Sequence, residues 1–180
     1  MTTWIILLRG INVGGHNILP MADLRAALTS DGLQDVATYI QSGNIVLTST
    51  TSDAKKMASK TAQIIEQGFG MELDVRAIPA KVFQTIIEDN PFPEATSDPK
   101  TLHLSFLAQT PNVSKLTTLE GLVENGERLA LHGKTVYLHA PNGIGRSKLA
   151  QRMEAILGVP STSRNWRTVL KLLELVSEQP

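Results

Sequence analysis

The chain has 180 residues and a formal net charge of zero, long enough for one domain or two small ones sharing a core. With 42% hydrophobic and 19% charged residues it has the composition of an ordinary soluble globular protein rather than a disordered one, and its neutrality argues against a nucleic-acid binder driven by bulk charge. It has no cysteine, which removes disulfides, thiolate metal sites and cysteine nucleophiles.

The first apolar run, Trp4-Ile5-Ile6-Leu7-Leu8, reads as a buried strand. Without a basic flank before it, it is too short for a signal peptide or a membrane span, so the cytoplasm is the expected compartment. Arg9 falls in the same apolar strand, where a cation needs a partner or a ligand. A loop at Asn12-Val13-Gly14-Gly15 follows. Pro20 suits a first helical turn, with Met21, Leu24 and Leu28 on one face and Gly32 as the stop. Val36 to Gln41 and Asn44 to Thr48 make two β-like runs around Ser42-Gly43, a hairpin signal. Asp53 opens a second helix whose apolar face is Ala54, Met57, Ala58, Ile64 and Ile65, ending near Gly68. Leu73 to Ile78 alternates as a fourth strand. The order is β-α-β-β-α-β, the ferredoxin-like unit.

A helix from Pro79 to about Asp89 leads into D-N-P-F-P-E-A-T-S-D-P-K, whose three prolines mark a linker. Beyond it the pattern starts again. Leu102 to Leu107 is a strand and Val113 to Leu122 a helix or helical turn. Arg128 to His132 and Thr135 to His139 form a hairpin around Gly133-Lys134, and Ser147 to Leu157 is a helix. Val159-Pro160-Ser161-Thr162 suits a short edge strand, where proline is allowed. A last helix, Asn165 to about Ser177, carries an apolar stripe of Trp166, Val169, Leu170, Leu173 and Val176. The expected fold is therefore α+β: two ferredoxin-like βαββαβ halves with antiparallel sheets, residues 1–90 and 101–180, joined by a linker at 91–100. The C-terminal helix packs against them.

Four loops combine glycine with polar side chains. In A-P-N-G-I-G-R-S-K, residues 140–148, the spacing approaches a phosphate-binding loop, G-x-x-x-x-G-K-[ST]. Gly145 and Ser147 fit that pattern. Ala140 stands for the first glycine and Arg146 for the lysine, so a nucleotide-hydrolysing loop is not supported. Pro141-Asn142-Gly143 is a turn by composition, and Ser147 is a good N-cap. Yet Arg146 and Lys148 at a helix N-terminus face the positive end of the dipole, a mismatch of roughly 0.3–1 kcal/mol for each exposed charge. The start of the last helix repeats the oddity, with Arg164 and Arg167 flanking Asn165-Trp166. Two cationic helix starts suit an anion, which would receive backbone donors, dipole and guanidinium together. The alternative is that each cation turns to a carboxylate of the fold. From Arg146 to Lys171 six cations face the single anion Glu154, which otherwise reads as a solvated basic face.

The third loop, L-R-G-I-N-V-G-G-H-N at residues 8–17, lies between a strand and a helix, but Gly10, Gly14 and Gly15 do not match G-x-G-x-x-G. Asn12, Asn17 and His16 could hydrogen-bond to something polar, against the plainer reading of a tight loop with a surface histidine. The fourth, Y-I-Q-S-G-N at residues 39–44, is a turn, and no G-x-S-x-G or S-x-x-K supports Ser42 as a nucleophile. His16, His103, His132 and His139 share no ligand spacing, and paired carboxylates for acid–base work are not evident. No metal and no cofactor is expected, and no catalytic residue can be assigned. Few aromatics are present, which leaves little for stacking single-stranded RNA.

Taken together, L-L-R-G-I-N-V-G-G, P-M-A-D-L-R, T-Y-I-Q-S-G-N, P-N-G-I-G-R-S-K-L and S-R-N-W-R-T-V-L-K-L, in this order from Leu7 to Leu172, resemble the bacterial family known as domain of unknown function 1697. His16 stands where that family usually has a cation after Gly-Gly. The resemblance implies two ferredoxin-like halves and assigns neither an activity nor catalytic residues. The functional expectation is a cytoplasmic protein binding an anionic, phosphate-bearing small molecule in a cleft between the halves. Arg9, Asn12, Gly14 and Gly15 would line one side; Asn142, Gly143, Arg146, Ser147, Lys148, Arg164, Asn165 and Arg167 the other. The alternative is a non-enzymatic module that binds RNA or a protein through the basic C-terminal face. No membrane partner is expected.

Overall fold

In the computed structural model, which describes residues 1–179, the apolar run at the N-terminus forms β1 (Thr2–Leu8). It is followed by α1 (Met21–Ser30), β2 (Gln34–Tyr39), β3 (Asn44–Ser49), α2 (Ala54–Phe69), β4 (Val75–Pro79) and α3 (Ala80–Glu88). The four strands make one antiparallel sheet in the order β2-β3-β1-β4. Trp4, Ile6 and Leu8 point to the helix side, where they pack with Ile45, Leu47, Leu24, Leu28, Met57 and Ile65. Ile5, Leu7 and Val46 point the other way and are equally buried. Burial on both faces is the reason Trp4–Leu8 shows no polar alternation. Each such aliphatic side chain contributes roughly 1.5–3 kcal/mol relative to an exposed one.

Local chemistry bounds α2, which runs to Phe69, just past the stop expected near Gly68. Asp53 caps α2 by accepting the Lys56 N–H at 2.8 Å, and Gly70, at φ +66°, closes it in the left-handed conformation that glycine adopts without strain. Thr61, buried in the middle of α2, satisfies its hydroxyl by donating to the Met57 carbonyl at 3.0 Å.

The second half comprises β5 (Leu102–Leu107), α4 (Leu116–Glu120), β6 (Arg128–His132), β7 (Thr135–His139), α5 (Lys148–Leu157) and β8 (Ser161–Asn165). The final helix is α6 (Trp166–Ser177). This sheet is also antiparallel and four-stranded, in the matching order β6-β7-β5-β8. Leu107, Leu119, Val136, Met153 and Leu157 form one cluster on its helix side; Leu138, Ala140 and Leu149 form another. The architecture is thus α+β, two βαββαβ-like halves. The proline-rich stretch between β4 and β5 contains a short 3-10 helix, Pro93–Ser97, with Phe92 and Ala95 buried. The described residues form two compact units, one of residues 1–85 with 170–179, the other Ile86–Val169.

Four local expectations are corrected. Arg9 is not inside the strand: β1 ends at Leu8, and Arg9 is exposed just beyond it, because desolvating a guanidinium costs more than ending the ladder. The fourth strand begins at Val75 rather than Leu73. The edge strand expected at Val159–Thr162 runs from Ser161 to Asn165 instead, so the last helix begins at Trp166. On that helix Leu172 is buried with Trp166 and Val169, while Leu170 is 42% exposed. The i, i+3, i+6 spacing of the first three places them on one face, and Leu170 lies off it.

Candidate functional site

β5 runs antiparallel to both β7 and β8, pairing Leu102 with His139 and His103 with Asn165. The C-terminal ends of β7 and β8 therefore lie at one end of the second sheet, on either side of β5. The loop 140–147 and the start of α6 leave from that end. Neighbouring strands lie about 4.8 Å apart. Register alone thus brings the two cationic stretches to the same sheet end.

Most of the first stretch is occupied by its own folding. Gly143, at φ +90°, donates its N–H to the Ala140 carbonyl at 2.9 Å and closes the turn. The N–H groups of Arg146 and Ser147 donate back to Gly143 and Ile144 in a single 3-10 turn, Ile144–Arg146. Ser147 is buried, and its Oγ accepts the Ala150 N–H at 3.0 Å as the N-cap of α5. Asn142 donates to the Asn125 carbonyl at 3.1 Å. Lys148 reaches Glu124 at 3.2 Å, an exposed ion pair. Arg146 differs from all of these. It is exposed, and among the described residues its guanidinium has neither hydrogen bond nor ion pair.

The second stretch divides the same way. Asn165 accepts the Thr168 N–H at 3.0 Å and caps α6. Arg164, half-buried on β8, donates to the Ser163 carbonyl at 2.8 Å. Burial pulls its guanidinium down to about 10, which leaves it protonated at neutral pH. Arg167 is exposed and, like Arg146, has no partner among the described residues.

At the same sheet end is a group that sequence reasoning passed over. The hairpin register sets Arg128 opposite His139. An Nη2 of Arg128 lies 3.2 Å from His139 Nδ1; Arg128 also forms an ion pair with Glu94 and stacks over the Phe92 ring at 4.6 Å. Burial first, then the Arg128 guanidinium, pushes His139 below the usual histidine range, against Glu94 and Asp98. A bond to its own backbone N–H, then Arg128, holds the Glu94 carboxyl below the usual carboxylate range. Cross-strand pairing was countable from the Gly133-Lys134 turn, since directly opposed residues share a face. No signal in the sequence pointed to Glu94.

In the first unit, Arg9, Asn12, Gly14 and Gly15 occupy the loop after β1. Asn12, at φ +54°, donates to the carbonyls of Leu19 and Gln41 at 3.0 and 2.7 Å and accepts the Leu19 N–H at 2.8 Å. Asn17 donates to the Gly10 carbonyl at 2.9 Å. The two asparagines thus lock the loop and tie it to the turn between β2 and β3. Gly14 and Gly15 sit at φ +59° and +78° in the exposed tip, with His16 beside them. Among the described residues, no group of three or more His, Cys, Asp or Glu is placed to hold a metal ion. No helix there is long and apolar enough to cross a membrane.

No match was found among curated proteins. The chain is similar to a solved structure described as that of the conserved bacterial protein SP0830 from Streptococcus pneumoniae, at 25% identity with a TM-score of 0.78, covering 97% of this chain and 98% of that one. A family model described as "Protein of unknown function (DUF1697)" matches residues 1–137. That span contains the first half and the second through most of β7, and stops short of the 140–148 loop and α6. On that match, the chain belongs to the DUF1697 family.

Proposed function

We propose that the protein binds a phosphate-bearing small molecule at the end of the second sheet, through Arg146 and Arg167. One observation carries this reading: two exposed guanidinium groups, without partners among the described residues, belong to the two stretches that leave the same sheet end on either side of β5, while their neighbours Ser147, Lys148 and Asn165 are engaged within the fold. Arginine forks match phosphate geometry in pairs of N–H···O bonds. Gly143, Asn142, Ser147 and Asn165 then set the loop shapes. The corresponding loop of the first unit, with Arg9, Asn12, Gly14 and Gly15, is the second place to look for ligand contacts.

The test is thermal shift against inorganic phosphate, pyrophosphate, sugar phosphates, nucleotides and short RNA, with wild type beside Arg146→Ala and Arg167→Ala. A ligand at a hundredfold above its Kd stabilises by roughly 2.7 kcal/mol, a shift on the order of 5–10 °C for a chain of this size. A shift with one class, lost in both variants, supports the reading; no shift with any probe defeats it.

The alternative partner is RNA or a protein on the basic C-terminal face. Ion pairing weakens it, because Lys148 and Lys171 are matched by Glu124 and Glu174. Salt dependence discriminates: an RNA engaging about five phosphates gives a log–log affinity slope of about −3.5 to −4.5, and a single phosphate group a much flatter one.

A further inference from the structure

The geometry points to a site for a vicinal diol, as sugars carry, on the helix side of the second sheet, built by His103, Asn165 and the Ser105–Ser163 pair. It is independent of the anion-binding reading, since no arginine enters it. Strand register brings the four residues together. His103 lies opposite Asn165, and Ser105 opposite Ser163; directly opposed residues share a face, with Cβ atoms about 4.5–5.5 Å apart. On the other side of β5 the same two residues oppose Leu138 and Val136. Leu138 packs with Leu149 of α5, and Val136 with Met153 and Leu157 of the same helix. The face is therefore the one that α5 covers, yet on β8 it stays open at Ser163, which is exposed.

A polar side chain on a core-facing surface needs a partner. The two serines supply each other's, with their Oγ atoms 2.5 Å apart. His103 and Asn165 are each satisfied at one atom only. His103 is 8% exposed, and its Nε2 lies 2.9 Å from the Lys100 carbonyl. A carbonyl only accepts, so the ring proton is on Nε2 and Nδ1 carries a lone pair. Burial, against the Lys100 carbonyl, holds this histidine below its usual range, which keeps that lone pair available at neutral pH. Nδ1 has no partner among the described residues and is not one of their buried unsatisfied atoms, so it is open. Asn165 presents the complement. Its Oδ1 accepts the Thr168 N–H, which fixes the orientation of the amide and leaves Nδ2 as a donor without a partner among the described residues. An open acceptor and an open donor thus stand opposite each other on one strand pair. Hydroxyl groups both donate and accept. In a bound diol one hydroxyl donates to His103 Nδ1 and its neighbour accepts from Asn165 Nδ2. A fully ionised phosphate has no proton to give Nδ1, so the site selects an uncharged hydroxyl.

The experiment uses the full chain labelled with 15N and two uncharged probes, methyl ribofuranoside, which carries a cis-diol, and methyl 2-deoxyribofuranoside, which lacks it. Nitrogen–proton correlation of the histidine rings at neutral pH is expected to show His103 protonated on Nε2, with an Nδ1 resonance that moves as the riboside is added. The deoxy sugar is expected to bind about tenfold more weakly, the loss of one hydrogen bond. His103→Gln keeps an amide N–H for the Lys100 carbonyl and removes the Nδ1 acceptor. Asn165→Asp keeps the oxygen that caps α6 and removes the Nδ2 donor. Each variant is expected to stay folded and to lose riboside affinity about tenfold. Asn165→Asp serves alone if His103→Gln does not fold. A His103 ring protonated on Nδ1 overturns the inference without any variant. So does an Nδ1 resonance that the riboside leaves in place up to its solubility limit. Equal binding of the two sugars, or riboside binding unchanged in Asn165→Asp, also overturns it.

Discussion

Asn12 and Gln41 join the two loops at one end of the first sheet: the Asn12 side-chain amide donates to the Gln41 carbonyl at 2.7 Å, while its other contacts, to both backbone groups of Leu19, close its own loop. One amide thus supplies two donors and an acceptor to a backbone that pairs with no strand. Asn12→Ala is expected to cost about 1–3 kcal/mol, the penalty for leaving such groups without partners. A urea midpoint that drops with unchanged slope would show it. Asn12→Asp should be worse at neutral pH, since a carboxylate would face two carbonyl oxygens. The gap should narrow as the pH falls and that carboxyl takes up a proton.

Gly43 tests a different constraint. Its φ is +74°, and a Cβ there would lie 2.5 Å from Leu8 Cβ and 3.0 Å from Ile11 Cδ1. Its carbonyl also accepts the Leu8 N–H at 2.8 Å, so neither partner can move away freely. Gly43→Ala combines about 1–2 kcal/mol for the left-handed backbone with about 1–3 kcal/mol for overpacking. A Tm unchanged within experimental error would contradict this packing.

Ser147 and Arg146 are neighbours in the sequence with opposite expected behaviour. Ser147→Ala removes the N-cap bond to Ala150 and should destabilise by about 0.5–2 kcal/mol. Arg146→Ala removes a side chain with no partner among the described residues and should leave stability within about 0.5 kcal/mol, while abolishing the ligand-dependent thermal shift. Equal destabilisation by both would make Arg146 part of the fold.

The pH dependence has two arms. The Tyr137 hydroxyl donates to the Ile86 carbonyl at 2.6 Å, and burial first, then Asp89, pushes its pKa up to about 12. A folded pKa raised above the unfolded value near 10 means that this stabilisation is whole below pH 10 and is lost between about 10 and 12. One tyrosinate absorbance step should be delayed accordingly, and it should vanish in Tyr137→Phe. On the acid side, burial pulls His103 and His139 below the ordinary value of 6.5. Their neutral forms stabilise the fold above pH 6.5, and that contribution declines as the pH falls toward the lowered values. For His103 the bond from Nε2 to the Lys100 carbonyl, 2.9 Å, works against this shift. If the stability profile is flat from pH 7 to 5, these histidines are not held neutral by burial.

The sequence by itself determined the succession of elements and the class of fold. Apolar runs such as Trp4–Leu8, caps such as Asp53 and Ser147, and turns such as Ser42-Gly43 and Gly133-Lys134 act over a few residues, and those interactions are legible locally. It could also single out Arg146 and Arg167 as cations at helix starts. Which cations stay unpaired was decided only by tertiary structure, because ion pairing depends on residues distant in sequence. Glu124 reaches Lys148 from a loop before β6, and Glu94 reaches Arg128 from the proline-rich stretch. The same holds for Arg9, whose place outside β1 reflects the cost of desolvating a guanidinium, and for His139, whose tautomer follows from the arginine that strand pairing sets across from it. Periodicity and capping are short-range; solvation and charge pairing are settled only where the chain folds back on itself.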